Sequence, residues 1–102
     1  MTSPFISEAD RNALAVADDT IAGLLELGRK VENAYAEAKA GRALLQVAAT
    51  SEKPEYRVKA YKVCRTAERS ARAAFELAAD VDNDAGTLRA MSHNLAHNHE
   101  QG

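Results

Sequence analysis

A heptad series between Leu14 and Leu45 limits what this chain can fold into. Taken alternately three and four residues apart, the positions are Leu14, Ala17, Ile21, Leu24, Gly28, Val31, Tyr35, Ala38, Arg42 and Leu45. All but Arg42 are apolar or small. A 3.5-residue repeat keeps one stripe of a helix turned toward a neighbouring helix. A second series follows: Tyr56, Ala60, Val63, Ala67, Ser70, Ala74, Leu77, Val81, Asp84, Leu88, Met91 and Leu95. Only Asp84 is out of character. The stretch 50–55, Thr-Ser-Glu-Lys-Pro-Glu, separates them, with Ser51 suited to capping and Pro54 to a first helical turn. The pattern predicts one all-α domain over 1–102. A helix over about 7–49, a turn at 50–54 and a helix over about 55–97 make an antiparallel helical hairpin.

Ser7, with Asp10 three residues on, suits the start of the first helix, behind a lead-in at 1–6. Gly23, Gly28 and Gly41 each cost about 1 kcal/mol against alanine inside a helix. The heptad phase nevertheless passes through Gly28 and Gly41 undisturbed, which favours a continuous helix. The second helix is weakest at 82–87, where Asp84 or Thr87 could cap a restart. Breaks at Gly28 and Gly86 would give the alternative, a compact three- or four-helix bundle monomer.

The chain is 46% hydrophobic but only 5% aromatic, without tryptophan, so its apolar content is mostly alanine and each burial yields little. A core this thin gains from a second copy, and the expected assembly is a homodimer forming a four-helix bundle. Surplus apolar residues point the same way. Tyr61, Cys64, Ala71, Phe75, Ala78 and Ala85 make a stripe beside the second seam. Val16, Leu25, Leu27, Leu44 and Val47 lie off the first. The expected self-association residues are Cys64, Ala71, Phe75, Ala78, Leu25 and Leu27.

Charge is unevenly distributed. Residues 37–72 carry a net +5, residues 1–36 a net −3 and residues 73–102 a net −4. In a hairpin the basic segment falls at the turn. Arg65, Arg69 and Arg72 share a helical face, with Lys62 beside them and Arg57 and Tyr61 near. Such a face can be solvated, or serve self-assembly, or dock an acidic protein, or bind a nucleotide or single-stranded nucleic acid through phosphate neutralisation and stacking. The overall acidity argues against general duplex DNA binding.

Catalytic patterns are absent from the sequence: no phosphate loop, nucleophile elbow, Cys-x-x-Cys or Glu-x-x-His pair. His93 and His97, four apart, are a weak metal candidate that His99 or Glu100 would have to complete; no metal or other cofactor is expected. Cys64, the single cysteine, reads as a small buried hydrophobe and suits a reducing compartment. The N-terminus lacks a signal-peptide pattern and no stretch is apolar enough to span a membrane, so the expected location is cytoplasmic. The expected function is a non-enzymatic interaction protein, an inhibitor or adaptor acting through a helical face or the basic tip. The alternative is nucleotide or nucleic-acid sequestration.

Overall fold

The computed structural model describes residues 7–101, with side chains through residue 98; the lead-in at 1–6 and the side chains of His99 and Glu100 lie outside the described residues. Two helices, α1 (Glu8–Thr50) and α2 (Pro54–Gln101), form an antiparallel helical hairpin. Neither Gly28 nor Gly41 breaks α1, and α2 runs through 82–87 without a restart. Thr87 does not cap a helix there. Its hydroxyl donates to the Asn83 carbonyl one turn back, at 3.0 Å. The three- or four-helix alternative is therefore not the fold.

Local chemistry fixes the helix ends. The Ser7 hydroxyl oxygen accepts from the Asp10 amide at 3.1 Å and the hydroxyl donates to the Asp10 carboxylate at 2.7 Å. One of the amides that a helix start leaves without an internal partner is thereby satisfied. At the other end, residues 51–53 link the helices. The Ser51 hydroxyl oxygen accepts from the Lys53 amide at 3.1 Å, and the Arg57 guanidinium donates to the Ser51 carbonyl at 3.4 Å. Pro54 opens α2 at the position where a missing N–H costs nothing.

Contacts gather into two compact units. One joins α1 up to Leu25 with α2 from Ala78; the other is Glu26–Leu77. In the second unit the α2 side of the seam is Tyr56, Ala60, Val63, Ala67, Ser70, Ala74 and Leu77, all buried or half-buried. In the first it is Val81, Asp84, Leu88, Met91 and Leu95, again buried or half-buried. This is the second heptad series as read from the sequence, Asp84 included.

On α1 the seam is displaced by one residue from the expected one. Thr20, Gly23, Leu27, Lys30, Ala34, Glu37, Gly41, Leu44 and Ala48 face α2, whereas Leu14, Ile21, Leu24, Val31, Tyr35 and Leu45 are exposed. Close approach of the backbones decides the register. A Cβ at Gly23 would stand 2.8 Å from Val81 Cγ2, and one at Gly41 would stand 2.8 Å from Cys64 Sγ. Neither gap accommodates a larger residue without movement, and the bulky track beside them is turned outward. Two of the polar seam residues have hydrogen-bond partners at the seam. The Ser70 hydroxyl donates to the Glu37 carboxylate at 2.6 Å, and buried Thr20 donates to the Val16 carbonyl at 2.8 Å.

Gly28 and Gly86 are different: both are exposed, and an added Cβ meets nothing within 4 Å. Gly28→Ala and Gly86→Ala are each expected to stabilise the fold by about 0.5–1 kcal/mol, the helix-propensity difference with no steric offset. Chemical denaturation checks this; a midpoint that fails to rise in either variant contradicts it.

Candidate functional site

The apolar flank of the second unit follows from the seam register. Both helices are right-handed and they run in opposite directions. The residue after each seam position therefore turns to the same flank of the pair. On α1 those positions hold Val31, Tyr35 and Leu45; on α2 they hold Tyr61, Cys64 and Phe75. Phe75 is 74% exposed and Tyr35 is 64% exposed. The Tyr35 ring, expected to pack in the seam, instead lies under the Lys39 ammonium at 5.1 Å, a cation–π contact on the surface.

Near the turn the flank opens into a cavity of about 500 Å³ lined by Leu45, Ala48, Ala49, Arg57, Ala60, Tyr61 and Cys64. Ala48 and Ala60 are the buried floor, and the other five all occupy flank positions. Cys64 is half-buried, where the sequence suggests a buried residue. The opposite flank is polar: a smaller cavity of about 100 Å³ is lined by Lys30, Asn33, Ser70 and Ala73.

The cations form a separate surface. Arg65 and Arg72 lie midway between seam positions, on the side of α2 away from α1. Lys62 and Arg69 each precede a seam residue. All four are exposed. Arg72 sits 3.6 Å from Glu68 in an exposed i, i+4 pair, a geometry of small energetic weight. Among the described residues Lys62, Arg65 and Arg69 form no ion pair. Arg65 lines a shallow cavity of about 390 Å³ with Tyr61, Cys64 and Glu68. Arg57 stands apart from this group, engaged with the Ser51 carbonyl at the turn.

The remaining sequence candidates are dispersed. Ala71 is exposed and Ala78 half-buried on the α2 flank, Leu25 is exposed away from the seam, and Leu27 is half-buried within the seam. Leu27 therefore belongs to the contact with α2 and is not part of an outward stripe, and the same holds for half-buried Val16 and Leu44. His93 and His97 are exposed, with their rings stacked 6.1 Å apart at 8°. Among the described residues no three His, Cys, Asp or Glu side chains converge as a metal site would require, and no helix is long and apolar enough to cross a membrane.

Val31, Tyr35 and Leu45, which the heptad series puts inside, are surface residues. The signal was the neighbouring track of small residues, Gly23, Ala34, Gly41 and Ala48, facing Ala60, Ala67 and Ala74. No protein-family model, curated protein or solved structure matches the chain.

Proposed function

We propose that the chain is a non-enzymatic interaction module, an inhibitor or adaptor, that binds an acidic protein surface through Lys62, Arg65, Arg69 and Arg72. The observation that carries this reading is the exposed alignment of these cations on α2, three of them without an ion pair among the described residues. Such a face attracts a partner of opposite potential and sets its register. A photo-crosslinking residue replacing Glu68, at the edge of the face beside Arg72, tests it. The expected result is capture in cells of a polypeptide other than this chain, lost when Arg65→Glu and Arg69→Glu are added. Capture that survives the charge reversal overturns the reading.

A second reading, nucleotide or single-stranded nucleic-acid binding, draws on Tyr61 and Arg65 lining one cavity, which supplies a stacking surface beside a phosphate-neutralising group. Calorimetry with mononucleotides, cyclic nucleotides and short oligonucleotides separates the two. Binding abolished by Arg65→Glu favours this second reading; no heat with any of them removes it.

A further inference from the structure

We propose that the cavity near the turn binds a fatty carboxylate, with the acid group on Arg57 and the alkyl chain running along Tyr61 toward Cys64. The cavity is built entirely from residues of the second unit. Its volume of about 500 Å³ falls within the range of small-molecule sites, about 300–1,000 Å³. Such sites join a mostly apolar wall to a few fixed polar groups, and this one has both parts.

The apolar part comes from both helices. Leu45 and Ala49 on α1 stand over a floor of Ala48 and Ala60. Alanine at 48, 49 and 60 is what leaves the space, since each stops at Cβ. Tyr61 and Cys64 continue the wall along α2. From Arg57 to Cys64 is about 10 Å along the helix, a length that an extended alkyl chain covers. Burying that chain against aliphatic carbon supplies the affinity.

Charge selects the head group. Among the described residues that line the cavity, Arg57 alone is charged. Its Nη1 donates to the Ser51 carbonyl at 3.4 Å, which holds the guanidinium beside the turn. That bond uses one of the five donors of an arginine, and among the described residues Arg57 has no acidic partner. A free guanidinium fork fits a carboxylate. A phosphate monoester, with a charge of about −1.5 to −2 at neutral pH, calls for more than one cation. Past Tyr61 and Cys64 the wall passes into the shallow cavity that holds Arg65 and Glu68. Their opposite charges give that end no preference for an anion, so the head lies at Arg57. The second unit as a whole carries a net +4, which favours an anionic ligand. Lys62, Arg65, Arg69 and Arg72 do not line this cavity, so this reading and the partner reading fail independently.

Isothermal titration calorimetry of the full chain with decanoate, kept below the concentration at which it forms micelles, tests this. One saturable site per chain is expected. Arg57→Gln should weaken binding by about tenfold or more, the loss of a charge-assisted bond, and Arg57→Lys should recover part of it. Ala49→Phe changes an exposed position and puts a ring into the cavity, which should abolish binding. Circular dichroism should show wild-type helix content in all three variants. Decyltrimethylammonium, with the same chain and the opposite charge, should show no saturable site. Arg65→Glu/Arg69→Glu, the reversal that ends partner capture, should leave the decanoate site in place. No saturable binding of decanoate, equal binding of the two amphiphiles, unchanged affinity in Arg57→Gln, or binding that survives Ala49→Phe overturns the proposal.

Discussion

Ala74→Leu is expected to cost about 1–3 kcal/mol, the usual range for extra methylenes forced into a closely packed site. For a domain of this size that lowers the melting temperature by on the order of 10 °C. Ala74 is buried in the seam of the second unit and borders none of the cavities described above. A leucine there must push α2 from α1 or adopt a strained rotamer. Ala60→Leu is the internal control. Ala60 is more deeply buried than Ala74 but forms the floor of the cavity beside Tyr61, so its added atoms have space to enter. Thermal unfolding by circular dichroism should rank wild type above Ala60→Leu and Ala60→Leu above Ala74→Leu. Equal losses would mean that the cavity gives no relief and that seam thickness alone sets the penalty.

The second expectation is a change of sign within one helix. Gly23→Ala and Gly28→Ala add the same methyl group to α1 and gain the same helix propensity, about 1 kcal/mol. At Gly28 nothing opposes that gain. At Gly23 the new Cβ meets Val81 Cγ2 at 2.8 Å. Valine in a helix has one strongly preferred χ1 rotamer and cannot swing aside cheaply. The overpacking cost of about 1–3 kcal/mol then outweighs the propensity, and Gly23→Ala is expected to destabilise. Gly41→Ala should fall between them. Its near neighbour is a single thiol sulfur, which can rotate, and the Cys64 backbone stands at an ordinary 3.7 Å. Guanidinium denaturation of the three variants gives the order directly, and a stabilised Gly23→Ala would show that the helices separate at no cost.

The sequence made α2 easy to read and α1 hard, for one physical reason. Along α2 a single track carries the apolar residues at heptad spacing, from Tyr56 to Leu95, and it is the seam. Along α1 two neighbouring tracks compete. One holds the large residues Leu14, Ile21, Leu24, Val31 and Leu45; the other holds Thr20, Gly23, Ala34, Gly41 and Ala48, with Lys30 and Glu37 among them and fewer large apolar residues, Val16, Leu27 and Leu44. Area burial alone selects the first. What selects the second is contact distance, which the sequence expresses only as an absence of side chain. Lys30 and Glu37 obscured it further, since the Glu37 carboxylate is accommodated by a Ser70 hydroxyl from the other helix. The basic face of α2 needed no such information, because i, i+4, i+7 spacing fixes it on one helix. The groove near the turn did, because it takes flank residues from both helices in their true register.

The link at 51–53 bears on the order in which this chain folds. Every contact between α1 and α2 closes a loop through that link, and the loop lengthens with distance from it. Gly41 meeting Cys64 closes a short one, and Gly23 meeting Val81 a much longer one. The closure entropy of the longer loop exceeds that of the shorter by about 0.8 kcal/mol if each forms from an open chain. If the inner contact is already made, the loop still to close is about 35 residues long and roughly half of that excess remains. The helices are therefore expected to close from the link outward, like a zip, with the seam nearest the link first.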